Sequence, residues 1–281
     1  MKINNLGAVD IGTIHAAFID AFSEYEVKID MPVEKLREML LVRDYEPSSS
    51  LGCFEGSRLV GFVLTGCRTI DGKRCGYDTG TGVIKEYQNR HVGSMLMEGL
   101  VDSIKKNEMG RYQLEVLENN IAARRLYEKY GFRVSRKLRC YEYFCDNDAE
   151  PIAFDETQDI DSLDAVNLEE YVSFIPTWQN ALKSFLNNRD MYYFAGYELD
   201  RHLVGYGIIH RERADMLQIG MASSYRGLGL EKKIIERMAR SIGRNKVTIL
   251  NVEDGSYMQT MFDKLGCKNF VNQYEMIYTN C

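Results

Sequence analysis

The stretch Tyr87-Gln88-Asn89-Arg90-His91-Val92-Gly93-Ser94 decides the fold, because it returns later as Tyr225-Arg226-Gly227-Leu228-Gly229-Leu230-Glu231-Lys232. Thr79-Gly80-Thr81-Gly82-Val83 reads as a strand leading into the first copy, and Ile219-Gly220-Met221 leads into the second. The two segments align without a gap, and a helix is expected after each. A turn of small and basic residues that opens a helix gathers free backbone N–H groups at the positive end of the helix dipole, a ready receptor for phosphate. A ligand bearing a pyrophosphate is expected there. Alone, such a turn is more often only a helix entry, so the surrounding pattern has to carry the weight.

Working outward, apolar residues at helical spacing predict helices over 13–25 and 33–42. Strands follow at 51–54 and 59–64 around Glu55-Gly56-Ser57, then one ending near 70, then one over 75–84 after Asp71-Gly72-Lys73. A helix over 92–106, a strand over 112–117, a short helix over 121–130 and a strand over 137–144 give the order ααββββαβαβ. The polar run 146–151, ending in Pro151, reads as a linker, which sets domains at 1–147 and 152–281. The second half repeats the programme: a helical region over 160–188, strands near 192–197, 203–210 and 216–221, and a long helix. A strand over 247–252, a short helix over 257–265 and a strand over 273–278 close it.

Composition agrees with two ordered domains. The 281 residues are 45% hydrophobic and 27% charged with four prolines, and two domains of roughly 130 to 150 residues each can bury a core. A formal charge of -6 argues against a nucleic-acid partner, which needs a concentrated basic face. The odd set of seven cysteines lacks paired spacing and nearby histidines, so neither a metal site nor a disulfide framework is expected. No run approaches the ~18 apolar residues that span a membrane, and a cytoplasmic setting with no membrane partner is the expectation.

A second motif fixes the family. Asn120-Ile121-Ala122-Ala123-Arg124-Arg125-Leu126-Tyr127-Glu128-Lys129-Tyr130-Gly131-Phe132 follows the first loop, and Met261-Phe262-Asp263-Lys264-Leu265-Gly266-Cys267 answers it after the second. With both motifs in order and repeated, the sequence resembles the GNAT superfamily of acyl-CoA N-acyltransferases. The family patterns are Gln/Arg-x-x-Gly-x-Gly/Ala and Asn-x-x-Ala-x-x-Leu-Tyr-x-x-x-Gly-Phe. The layout is similar to bacterial tandem GNAT proteins, whose second half often carries a Trp-Gln-Asn segment, here Trp178-Gln179-Asn180.

The resemblance implies an α+β fold of two tandem GNAT-like domains, each a mixed, mostly antiparallel twisted sheet flanked by helices. It implies an N-acetyltransferase that moves an acetyl group from acetyl-CoA (coenzyme A) to a primary amine by direct attack in a ternary complex. The acceptor would be a small molecule or a peptide, and the chain could act as a homodimer. Val83 would offer main-chain groups to the pantetheine arm at a splay between its strand and the one near Leu114. Gln88, Asn89, Arg90, His91, Val92, Gly93 and Ser94 would hold the pyrophosphate, and Asn120 would contact the arm. Tyr127 would face the thioester sulfur as proton donor. Full transfer from a phenol to a thiolate is uphill by roughly 2 kcal/mol, so part of that role is hydrogen bonding. Asp78 is the only acid on the strand where some members place a carboxylate, against a plain turn or surface role. Phe22 and Tyr25 are candidates for the acceptor pocket on the same analogy, against a core role.

The copies depart from the pattern in different ways. His91 replaces the first glycine of the first loop. In the second copy Glu231 stands where Gly or Ala is expected, Gly255 at the Asn120 position and Phe262 at the Tyr127 position. A carboxylate against phosphates disfavours their binding, so the second domain is expected to have lost catalysis. Two other readings remain open: an acyltransferase using a longer acyl or an aminoacyl donor, and a non-catalytic coenzyme A sensor or interaction protein.

Overall fold

The computed structural model describes residues 1–24, 31–146, 155–158, 168–200 and 202–280. Tyr25, residues 147–151 of the expected linker and 160–167 of the expected helical region lie outside these residues. Two compact units emerge, one from Met1–Ser135 with Tyr274–Cys281, the other from Arg136–Gln273.

The first unit starts with β1 (Lys2–Asn5), a short, mostly exposed strand absent from the sequence reading. In α1 (Ile11–Ala21), Asp10 caps the start by accepting the Thr13 N–H at 3.0 Å, and Ile14, Ala17 and Phe18 form the buried face. Then come α2 (Val33–Val42), β2 (Leu51–Glu55), β3 (Arg58–Ile70), β4 (Lys73–Val83), α3 (Val92–Lys106), β5 (Arg111–Leu117) and α4 (Ile121–Lys129). The strands lie in the order β1-β2-β3-β4-β5, antiparallel up to the parallel β4–β5 pair.

The sequence reading split β3 in two. It is one thirteen-residue strand, and the irregularity is a register shift between Leu64 and Thr65, opposite Gly80 and Asp78, which leaves Thr79 as an extra residue on β4. A bulge adds twist without ending the ladder, so the strand continues where the pattern wavers.

The chain passes between units inside strands rather than at a linker. The strand β6 (Arg133–Phe144) begins in the first unit and ends in the second. The second unit continues with β7 (Asp155–Thr157), α5 (Leu182–Leu186), β8 (Tyr192–Leu199), β9 (His202–His210), β10 (Asp215–Met221), α6 (Leu230–Ser241), β11 (Lys246–Glu253) and α7 (Tyr257–Lys264). Its strand order is β6-β11-β10-β9-β8-β7, with only β10–β11 parallel. Finally β12 (Lys268–Thr279) begins in the second unit and ends in the first. There Met276 is fully buried, Tyr278 packs on Phe132 with centroids 5.6 Å apart, and the Tyr274 hydroxyl donates to Glu118 at 3.0 Å. The compact units are therefore cut at Ser135/Arg136 and Gln273/Tyr274, whereas the sequence halves were divided at 147/152.

The described part of the expected helical region up to 188 is not one helix. It holds single turns at Leu168–Glu170 and Trp178–Asn180 and the short α5. Pro176 lacks an N–H and interrupts any helix running through it. No helix among the described residues is long and apolar enough to cross a membrane.

Candidate active site

The parallel strands β4 and β5 pair only at Cys75–Arg111, Gly76–Tyr112 and Tyr77–Gln113. Both run on past that point, β4 to Val83 and β5 to Leu117. They part, and the β4 main chain from Asp78 onward has its ladder on the β3 side alone. Backbone groups left without a ladder partner seek one, so the opening can bond an extended ligand. The bulge at Thr79 stands at its apex.

At the far end of β4 a single turn, Lys85–Tyr87, leads into the loop before α3. Gln88 to His91 are exposed, Val92 is buried, and Gly93 and Ser94 are half-buried. Asn89 and His91 both take left-handed backbone, φ 58° and 62°. That region is costly for residues with a side chain, by about 1 kcal/mol each. His91 forms the helix N-cap but makes no side-chain cap bond, and no acid stands in the first turn of α3. Among the described residues, then, neither the N-cap nor the first turn of this fifteen-residue helix supplies an anion to its first amides. Gly93 lets α4 come close: a Cβ there would lie 3.1 Å from Leu126 Cδ2, which would have to give way slightly. Arg90 lies over the Tyr87 ring at 5.1 Å, and Gln88 Nε2 donates to the Val83 carbonyl at 3.3 Å.

Tyr127 is buried on α4, its ring 5.8 Å from Phe132. Asp78 is buried too, not a turn or surface residue. Its Oδ2 accepts the Thr81 hydroxyl at 2.6 Å, and its Oδ1 has no hydrogen-bond partner among the described residues. Burial pushes its carboxyl up to about 6, against the opposing pull of the Thr81 hydroxyl, the Gly80 N–H and Arg43. Asn120 caps α4, its Oδ1 accepting the Ala123 N–H at 3.1 Å, so part of its hydrogen-bonding capacity serves the helix. Phe22 packs in tilted contacts with Phe18 and Phe62, centroids 4.6 and 6.4 Å away.

Tyr112 was not singled out in the sequence, where a strand tyrosine looks like core. Its hydroxyl meets the Thr65 hydroxyl at 2.9 Å, and Thr65 is the β3 partner of Asp78. Its ring packs edge-on against Phe132, 6.1 Å away, the same ring that touches Tyr127. Burial first, then the charge on Asp78, holds the Tyr112 phenol well above its ordinary value. Asp78, Thr65 and Tyr112 therefore form one buried polar group next to the bulge, and Tyr127 shares the Phe132 ring with Tyr112. A carboxyl that titrates near neutrality beside phenol donors can accept and deliver protons.

Comparison with known proteins agrees with this geometry. Residues 14–132 match the model of the acetyltransferase (GNAT) family. No curated protein matches the sequence. Among solved structures, a GCN5-related N-acetyltransferase from Sphaerobacter thermophilus is 13% identical with a TM-score of 0.70, over 99% of this chain and 95% of that one. A tandem GNAT protein from the clavulanic acid biosynthesis pathway is 16% identical with a TM-score of 0.70, over 99% and 98%. A putative acetyltransferase from Pyrococcus horikoshii is 18% identical with a TM-score of 0.66, over 100% and 89%. At these identities the structures speak for the fold. The family match rests on the segment that carries the opening, the loop and Tyr127, so residues 14–132 are similar to a GNAT acetyltransferase domain, a family that transfers acyl groups from coenzyme A thioesters.

Proposed function

We propose that the first unit is an N-acetyltransferase that moves an acetyl group from acetyl-CoA to a primary amine of a small molecule or peptide. The observation that carries this reading is the convergence, in one unit, of an opened parallel strand pair, an anion-ready helix entry and a buried carboxyl raised to about 6. In this reading the main chain around Val83 holds the pantetheine arm, and the amides of Gln88 to Ser94 hold the pyrophosphate, with Asn120 beside the arm. Acetyl-CoA supplies an electrophilic thioester carbonyl, at which the C–N bond forms as the C–S bond breaks.

The residues of the chain handle the protons. A free alkylamine stays protonated at pH 7 at a cost of roughly 4.6 kcal/mol to neutralise, so a nearby base is valuable. Asp78 is the group assigned to take the amine proton, since its unpartnered Oδ1 is free to accept. Tyr127 is assigned to donate a hydrogen bond at the departing sulfur, where negative charge develops.

Tyr127→Phe tests the assignment. Turnover with acetyl-CoA and a responsive amine should fall by roughly tenfold or more while the dissociation constant for coenzyme A stays put. Unchanged turnover would remove Tyr127 from the chemistry.

A further inference from the structure

The second unit repeats the loop backbone of the first residue by residue. Gln88 and Arg226 are both extended, with φ -62° and ψ 152° against φ -67° and ψ 140°. Asn89 and Gly227 are both left-handed, φ 58° and 79°, and so are the helix N-caps His91 and Gly229, φ 62° and 79°. What differs is the occupant of the turn. At the position of Gly93 stands Glu231, whose side chain is almost wholly buried. Its Oε1 accepts the Gly227 N–H at 3.3 Å, and the Tyr257 hydroxyl donates to the same oxygen. The Gly227 N–H also reaches the Tyr257 oxygen at 2.6 Å. Burial, then the bond to Glu231, pushes the Tyr257 phenol up to about 12, so it stays a donor. In the first unit Ala122 occupies the position of Tyr257, and no comparable side chain among the described residues bonds into the turn.

The strand opening is filled as well. In this unit β10 and β11 pair at Asp215–Thr248 and Met216–Ile249. Beyond that pair the Met221 N–H, counterpart of Val83, donates to the Tyr171 carbonyl at 2.8 Å. Asn180 Nδ2 donates to the Leu217 carbonyl at 3.0 Å, and Gln218 Nε2 to the Asn180 carbonyl at 2.6 Å. Arg226 turns inward onto the carbonyls of Met221 and Tyr171, at 3.1 and 3.2 Å. The cavity that remains beside these bonds is lined mostly by apolar side chains, among them Phe174, Ile249 and Phe262.

We propose that the second unit is a self-occupied copy of the first: the Glu231 carboxylate takes the place of a ligand phosphate in its own loop, and residues 171–180 take the place of the ligand's arm. Like charges exclude a second anion from the turn. The chain then has one coenzyme A site, and the second loop is a latent receptor for the phosphate and pyrophosphate class, opened by removing the Glu231 side chain. This rests on reading the first loop as a phosphate receptor.

The full chain is titrated calorimetrically with coenzyme A and with inorganic pyrophosphate, as wild type, Glu231→Gly and Glu231→Gln. Wild type should take up one coenzyme A and one pyrophosphate, and Glu231→Gly should gain a second pyrophosphate. Glu231→Gln keeps the acceptor oxygen and the bulk and should stay closed. Hydrogen exchange on the wild type needs no variant to fold: the Gly227 amide should exchange about tenfold more slowly than that of Asn89. Two coenzyme A molecules per wild-type chain, fast exchange at Gly227, or a folded Glu231→Gly chain without a second pyrophosphate each overturns the proposal. A wild type that binds no coenzyme A while Glu231→Gly still gains a pyrophosphate sinks the reading of the first unit alone.

Discussion

At Asp78 the environment changes how an ordinary side chain titrates. Its carboxyl, ordinarily at 3.8, is raised to about 6 because burial penalises the charged form. A raised acid binds its proton more tightly in the folded state, so ionisation works against folding. No stability is lost below 3.8; the loss grows as pH rises through the interval and is complete above about 6. Asp78→Asn should therefore gain stability relative to wild type between pH 4 and pH 7, read from urea midpoints at both pH values. With Asp78 as base, kcat/KM should rise with pH through about 6, and that limb should vanish in the variant. A variant that keeps the limb moves the base elsewhere. Tyr112 belongs to the same scale: its hydroxyl bonds to the strand partner of Asp78, an arrangement that only a known strand register reveals.

At the scale of elements, the two strand pairs β4–β5 and β10–β11 separate after two or three paired residues, and the chain treats the two openings differently. In the second unit a buried polar hub closes the opening. Asn180 accepts the Thr177 hydroxyl at 3.0 Å and donates to Leu217, and Asn251, at φ 60°, donates to Thr177 at 3.2 Å and accepts Gln273 at 2.9 Å. Such a network is stable only when every member is satisfied. Asn180→Ala leaves several buried groups unpaired and should lower the unfolding free energy of the second unit by about 3 kcal/mol, measured by chemical denaturation. Trp178, buried beside this hub with its carbonyl accepting the Ser184 hydroxyl at 2.8 Å, belongs to the packed interior of the second unit.

For the whole molecule, the compact units and the sequence repeats are not the same partition of the chain. The residues from Tyr274 onward complete the first unit, where they carry a fully buried methionine and an aromatic contact to Phe132. A chain ending at Gln273 should lose most acetyl transfer and show early melting of the first unit, although the deletion lies far in sequence from every catalytic candidate. Retention of full activity by that truncated chain would contradict the unit assignment. The repeat, the helix entries and most strands were legible in the sequence, because spacing and turn chemistry are local and each copy reports on the other. The bulge at Thr79, the burial of Asp78, the polar group around Tyr112 and the closing of the second opening were not. Each depends on which strand lies beside which, and in what register. Glu231 marks the boundary between the two kinds of knowledge: its identity announced a carboxylate where phosphate belongs, and only the fold, by burying it against the Gly227 amide, decided that it sits inside the turn.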